Sequence, residues 1–386
     1  MQIACVIGTR PEAVKLSPVL DLLRRGGSPF RVTIVNSGQH LEEVAEALAQ
    51  FDLSVDETLT DSRGQSLGDM TAALIAQLGR APSIRRAGLV LVQGDTTTAF
   101  AGGLAAFHQG IPVAHLEAGL RSGIPDRPFP EEAHRRLLAV LATIHLAPTE
   151  QARANLRAMG VARGQIAVTG NTSVDALRRV AGASPGEARS VLGLDARRIV
   201  LMTLHRRESW NGALARICDG VVAAVRDVPD TVIVFPLHRN PRVREVVVAR
   251  LGGMARVQLL EALPYRQFVT HLQAADVVVT DSGGVQEEAA SLGKQTLIVR
   301  EVTDRPEAVE AGVARLVGTS SADVSRALRS ALRRGSSNVF TDVYGDGGAA
   351  ARVVLALNRW REGQRPLLPR ELEFRSMAAA DRLAVG

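Results

Sequence analysis

Three carboxylates in the first half of the chain stand where chemistry is usually done. Asp95 comes just after the apolar run Leu89–Val92, Glu117 follows Val113–His115, and Glu131 opens the helical stretch Glu131–Leu141. One acid at a strand end is unremarkable, and capping or surface pairing would explain it. Three on one rim repel one another unless cations or protons relieve them, a pattern that suits proton transfer at carbon or oxygen. Arg10 directly follows the first apolar run, Pro11 takes a first helical position, and Lys15 lies farther along the same helix. That pair makes a cationic focus fit for a diphosphate or sugar oxygens. Lys15 carries extra weight because the 46 basic residues include only Lys15 and Lys294 as lysines. A compact ammonium and a planar guanidinium are not interchangeable, so a retained lysine marks a place where arginine would not serve.

A second group lies late in the chain. Asp281-Ser282-Gly283-Gly284 leads from the run Val277–Thr280 into the helical stretch Val285–Leu292. Glycines there admit close backbone approach, and N–H groups at a helix start attract phosphate. Glu287 and Glu288 follow one turn later, and a carboxylate at that place can accept both hydroxyls of a ribose. There is no GxxxxGK[ST] and no early GxGxxG, which argues against a P-loop ATPase or a nicotinamide enzyme. Of eight histidines, His40, His205 and His238 follow strand ends among polar neighbours. His108, His145 and His271 read as packing or helix-surface residues, and His115 fits either role. No HxxxH, HExxH or Cys/His cluster occurs, so no metal or other cofactor is expected.

These residues need a scaffold, and the chain supplies one. Short apolar runs at Ile3–Ile7, Val32–Val35, Leu89–Val92, Val113–His115, Ile144–Ala147 and Ile166–Val168 alternate with helical patterns such as Pro11–Arg25, Leu41–Gln50 and Thr97–Gln109. After TGNTSVDAL the alternation restarts at Ile199–Thr203, Val232–Phe235, Val257–Leu260, Val277–Thr280 and Thr296–Val299. Strands of this length between helices indicate parallel βαβ units. The expected fold is α/β, two doubly wound Rossmann-like domains facing across a cleft. One spans residues 1–170 and is rejoined by the C-terminal helix and tail, 348–386; the other spans 171–347. Ligands of such sheets bind beyond the carboxyl ends of the strands. The polar clusters at 8–10, 37–40, 93–98, 116–121, 204–208, 237–240 and 281–284 all follow apolar runs and would line that cleft.

Composition narrows the partners. At 386 residues the chain exceeds one small core, and 46% hydrophobic with 22% charged residues rules out wholesale disorder. The net charge of +6 is spread along helices without a basic block, and 3% aromatic residues give no stacking platform for nucleic acid. No apolar run approaches the roughly 20 residues of a membrane span, and MQIACVIG does not read as a signal peptide. Cys5 and Cys218 are read as buried thiols, and the expected location is the cytoplasm.

The strings GTRPEAVKLSPV, SGQH, VQGDTTTAFAGGLAAF, HLEAGLRSG, PFPEE, TGNTSVDAL, TLHRRES, DSGGVQEEAASLGK, RPEAVEAG and YGDG closely resemble the non-hydrolysing UDP-N-acetylglucosamine 2-epimerases, in unbroken order over about residues 1–360. The resemblance implies a GT-B-like fold, a homodimer, and interconversion of UDP-GlcNAc and UDP-ManNAc through anti-elimination of UDP to 2-acetamidoglucal and its re-addition. It implies Asp95, Glu117 and Glu131 as the proton-handling set, without dividing the steps among them, and His205 assisting at the diphosphate. Arg10, Lys15, Ser282, Gly283, Gly284, Glu288 and Arg305 match nucleotide or substrate contacts, with Phe268 lining the uridine pocket. Gln39, Glu42, Glu132, Arg206 and His238 match a second site, where the family's bacterial members hold UDP-GlcNAc as activator. Departures at Leu41, Gln65, Asp126-Arg127, His134 and Gln295 spare the catalytic set and bear on activator dependence and sugar specificity. An epimerase of a modified UDP-HexNAc and a GT-B glycosyltransferase remain the alternatives.

Overall fold

The computed structural model describes residues 1–60, 66–182, 184–194, 197–206, 210, 212–335 and 341–377. Gln65, Arg207, Glu208 and the tail beyond Met377 lie outside the described residues. The chain divides into two compact units, one comprising Met1–Ala176 with Tyr344–Ser376, the other Leu177–Val343. The return of the C-terminal segment to the first unit has local causes. The N–H of Asn171 donates to the Tyr344 carbonyl at 2.7 Å, and Asp175 accepts from the N–H of Ala350 at 2.9 Å. Phe374 N–H then donates to Val168 at 2.9 Å, and the helix Ala349–Arg361 packs on the helix Arg10–Arg24.

The first unit holds β1 (Gln2–Ile7), β2 (Arg31–Asn36), β3 (Glu57–Thr58), β4 (Leu89–Gln93), β5 (Val113–Leu116), β6 (Ile144–Ala147) and β7 (Ile166–Val168). They form one sheet in the order β3-β2-β1-β4-β5-β6-β7, and every pairing is parallel. The second unit holds β8 (Arg198–Thr203), β9 (Thr231–Pro236), β10 (Val257–Leu260), β11 (Val277–Thr280), β12 (Gln295–Ile298) and β13 (Ala314–Leu316). Their order is β10-β9-β8-β11-β12-β13, again all parallel. Both are doubly wound α/β sheets, with strand order reversing between β1 and β4 in one and between β8 and β11 in the other. A reversal leaves a crevice at the strands' carboxyl ends, where such sheets bind ligands.

The unbroken apolar runs follow from burial on both faces. Along β8, Val200 and Met202 join the core under the helix Ala213–Arg226, while Ile199 and Leu201 join the core under the helix Tyr265–Ala274. The edge strands β3 and β13 escape a pattern reading because β3 is two residues long and β13 carries exposed Arg315 at its centre, so neither is an apolar run. Cys5 and Cys218 are free and buried, as the sequence suggests, and burial pushes both thiols up, Cys218 to about 12. Among the described residues, no helix is long and apolar enough to cross a membrane.

Candidate active site

In the first unit the sequence-derived residues gather at the reversal. The helix Arg10–Arg24 leaves β1 through Gly8 and Thr9, with Arg10 half-buried at its start and Pro11 in its first turn. Lys15 points inward from this helix, almost fully buried, and pairs with the Glu117 carboxylate. Gln93, the last residue of β4, donates to the same Glu117 oxygen at 2.8 Å. Glu117 itself has φ of 65°. A non-glycine in that left-handed region costs roughly 1–3 kcal/mol, so the surrounding structure must hold it there. The helix Thr97–Phe107 begins one turn after β4, and Asp95 in the intervening turn pairs with Arg135. Arg135 and its neighbour His134 come from the helix Glu131–Leu141, which Glu131 opens in a half-buried position. The His134 Nδ1 lies 3.0 Å from the Asp95 carbonyl oxygen, and its ring stacks on Phe100 with centroids 5.0 Å apart.

Glu12 binds the reversal together. Its Oε2 accepts from Gly8 N–H at 3.0 Å and Thr9 Oγ1 at 2.9 Å, and its Oε1 from Thr96 Oγ1 at 2.7 Å. Thus one carboxylate ties the turn after β1 to the turn after β4. Burial pushes its carboxyl up to about 7, against the lowering effect of these donors. Beside it, Thr98 Oγ1 donates to Gln39 Oε1 at 2.7 Å and lies 2.8 Å from Ser37 Oγ. The hydroxyls crowd Gly8 so closely that a Cβ there would lie 2.0 Å from Thr98 Oγ1. His115 on β5 is buried, with Nε2 2.7 Å from the Gly94 carbonyl just before Asp95. It is therefore a brace beneath the acids.

The residues matched to a second site come from both units. Gln39 joins the Ser37–Thr98 hydroxyls, and Glu42 is exposed on the helix Leu41–Ala49. Glu132 has no exposed surface, accepting from Ser122 N–H at 3.1 Å and Arg136 Nε at 3.0 Å, with Arg135 3.5 Å away. Arg206 and His238 belong to the second unit.

In that unit His205 stands two residues after β8, and Asp281 directly follows β11. Asp281 is fully buried and accepts from the N–H groups of His205 and Arg206, each at 3.0 Å, while His205 Nδ1 lies 3.1 Å from its other oxygen. Burial pushes the Asp281 carboxyl up, but the imidazole and the backbone donors outweigh it and hold the acid below its ordinary value. The His205 ring stacks on His238, centroids 5.6 Å apart and 20° from parallel. Next, Ser282 caps the helix Gly283–Ser291, so Gly283 and Gly284 form its first turn. Gly283 is required by its neighbour: a Cβ would lie 2.5 Å from the Arg305 guanidinium carbon. Arg305 is buried between Glu287 (2.6 Å) and Asp304, which also holds Arg300 at 3.0 Å. It sits beneath the helix start as a buried cation. Glu288 accepts from Tyr265 Oη at 2.9 Å, and Phe268, one turn after Tyr265, packs on the core under their helix.

Sequence reasoning passed over Glu12, Arg135 and Tyr265, and the pairings of Gln93 with Glu117 and of Asp281 with His205. For Glu12 a signal exists, because Thr9-Arg10-Pro11-Glu12 has the S/T-x-x-E spacing of a capping box. The others depend on which strands lie side by side.

Comparisons with known proteins identify the family. The sequence profile of the family described as UDP-N-acetylglucosamine 2-epimerase matches residues 24–358. A probable UDP-N-acetylglucosamine 2-epimerase of Ralstonia solanacearum is 40% identical over 372 residues, covering 93% of this chain and 99% of its own length. The UDP-N-acetylglucosamine 2-epimerase of Escherichia coli K12 is 39% identical over 374 residues, 94% of this chain and 99% of its own. The crystal structure of UDP-GlcNAc 2-epimerase from Neisseria meningitidis bound to UDP-GlcNAc has a TM-score of 0.87 at 35% identity, covering 93% of this chain and 100% of that one. With a family match across most of the chain, and with full-length relatives near 40% identity, this α/β chain belongs to the UDP-N-acetylglucosamine 2-epimerase family of isomerases.

Proposed function

We propose that the chain interconverts UDP-GlcNAc and UDP-ManNAc by eliminating UDP and adding it back. The observation that carries most weight is Glu117, a buried carboxylate held in a left-handed backbone conformation between Lys15 and Gln93. Strain of that kind persists where a side chain has a task. The C2 proton beside the acetamido group is weakly acidic, so its removal needs a placed base and a departing group. A carboxylate of the Asp95, Glu117 and Glu131 set takes the C2 proton. The C–H electrons form the C1–C2 double bond, and the C1–O bond breaks with its electrons leaving on UDP. The 2-acetamidoglucal then receives a proton on the opposite face of C2, and the UDP oxygen returns to C1.

The second unit supplies the nucleotide contacts. N–H groups at the Ser282-Gly283-Gly284 helix start face the diphosphate, Glu288 with Tyr265 accepts the ribose hydroxyls, and Phe268 meets the uracil. His205 stands at the leaving diphosphate, Arg10 adds a cation, and Arg305 supports the helix start from beneath. Gln39, Glu42, Glu132, Arg206 and His238 remain the proposed activator set. The Neisseria meningitidis relative, bound to UDP-GlcNAc, supports the substrate class.

Turnover of UDP-GlcNAc in deuterated water tests the reading. Proton NMR should show one deuterium at C2 of UDP-ManNAc, with free UDP and 2-acetamidoglucal accumulating over long incubation. A labelled bridging oxygen at C1 should scramble within the diphosphate. Product without C2 deuterium, or with no scrambling, would exclude elimination. Starting from UDP-ManNAc alone, a lag abolished by trace UDP-GlcNAc would support the activator set, and its absence would remove it.

A further inference from the structure

We propose that Asp281 is the positioning residue for His205: it holds the imidazole by Nδ1 and leaves Nε2 as the nitrogen that meets the nucleotide sugar. The inference rests on the reading of His205 as the diphosphate-side group. Its ground is the bonding of one fully buried carboxylate. Asp281 collects two backbone N–H groups of the turn after β8, and the His205 imidazole closes on it at 3.1 Å. Two N–H donors alone would suffice to fix the turn. The added contact to Nδ1 sets the ring itself, because a carboxylate accepts and cannot donate, so Nδ1 must carry the proton. Nε2 lies on the far edge of the ring, turned away from the acid.

Two further contacts make the orientation rigid. The His238 ring stacks on His205 and limits rotation of the ring plane. β8 and β11 are register neighbours, Thr203 opposite Thr280, with their hydroxyls 2.7 Å apart. The carboxylate and the histidine therefore belong to adjacent strand ends. Asp281 also directly precedes Ser282, which caps the helix proposed to face the diphosphate. One buried acid thus fixes the imidazole, the Arg206 backbone and the approach to the helix start. A group that handles charge on a leaving diphosphate loses rate steeply when misplaced, about a hundredfold for displacements near 1 Å.

The test compares Asp281→Asn, His205→Asn and the double variant with the unaltered protein. Asparagine keeps the size and one acceptor oxygen for the backbone, but its amide would donate to Nδ1 and favour the Nε2–H tautomer. Nitrogen-15 NMR of the imidazole, assigned by loss of signal in His205→Asn, should show a protonated Nδ1 in the unaltered protein and Nε2–H in Asp281→Asn. With UDP-GlcNAc as substrate, kcat should fall about a hundredfold while KM and UDP affinity stay within about threefold. In the His205→Asn background, Asp281→Asn should change kcat by less than about twofold, since a positioning residue has nothing left to position. An Nε2–H tautomer in the unaltered protein, an unchanged kcat in Asp281→Asn, or additive losses in the double variant would each overturn the proposal. Should Asp281→Asn fail to fold, the tautomer of the unaltered protein decides by itself. A protonated Nδ1 in a protein that does not epimerise UDP-GlcNAc would instead uphold the Asp281–His205 pairing and count against the proposed function.

Discussion

The two sheets reverse their strand order in the same way, and at each reversal a buried acid joins the neighbouring turns. In the first unit Glu12 spans from Gly8 and Thr9 after β1 to Thr96 after β4, and burial pushes it up to about 7. In the second unit Asp281 after β11 gathers the backbone and imidazole of the turn after β8, and is held below its ordinary value although burial pushes it up. Topology and burial are alike; the donors differ. Glu12 receives two hydroxyls and one N–H, whereas Asp281 has an imidazole beside it as well as backbone groups. A carboxyl poised near neutrality suits the region proposed to handle protons. A fixed anion beneath a histidine suits the region proposed to hold a diphosphate.

The largest expected effect tests that division of labour. Glu117→Gln should lower kcat by about 10²–10⁴ and leave UDP affinity within about threefold, read by steady-state kinetics and calorimetry. Gly283→Ala in the other unit should do the opposite. Its Cβ would lie 2.5 Å from the Arg305 guanidinium carbon and displace it from Glu287, disturbing the helix start. UDP affinity should then drop at least about tenfold, with kcat at saturating substrate much less affected. Equal losses of kcat in both variants would break the comparison.

Acid should separate the units next. His115 and His145 face each other across β5 and β6, and burial lowers them to about 3 and about 4. Both therefore stay neutral in the folded first unit while the unfolded chain takes up protons below about pH 6.5. The unfolded state binds more protons in that window, so stability falls as pH falls, by about 1.4 kcal/mol per pH unit for each histidine. The loss should flatten once pH passes below the folded values. Asp281 acts only lower down, since its depressed acid contributes stability present above about pH 4 and lost as pH falls through its folded value. Hydrogen exchange at pH 7 and pH 4.5 should show β5 and β6 losing protection before β8 and β11. The reverse order would refute this account.

Much of this was legible in the residues. Runs such as Leu89–Val92 and Val277–Thr280 stand out because both faces of a parallel strand are buried, and Asp95, Glu117 and Ser282 stand out because polar residues follow them. β3 (Glu57–Thr58) is polar and β13 is broken by exposed Arg315, whereas β7, no longer than β13, is apolar throughout and stands out. The partners of the acids were not legible, because Glu117 meets Lys15 and His205 meets Asp281 only after β1, β4 and β5, or β8 and β11, have been laid side by side. Arg305 shows what the fold adds to a matched string. Its string matched a nucleotide contact, and the fold places the guanidinium between two carboxylates under Gly283.

The smallest effect concerns Glu12 and bears most directly on the comparison. Its folded value near 7 lies above the ordinary 4.5, so between these values the folded state binds more protons than the unfolded one. Stability is then full below about pH 4.5 and declines as pH rises towards 7, opposite in sign to the two histidines over the same range. Glu12→Gln removes that titration while keeping a carbonyl oxygen for two of the three donors. Whatever fixed penalty the amide brings is the same at every pH and cancels between two measurements. Urea unfolding at pH 5 and pH 8 should therefore show the variant gaining roughly 2.5 kcal/mol relative to the unaltered protein at the higher pH. The acid decline set by His115 and His145 should also steepen in Glu12→Gln, because the opposing term is gone. A difference independent of pH would mean that Glu12 is ionised throughout. It would then be a second fixed anion like Asp281, and the two reversals would be electrostatically the same.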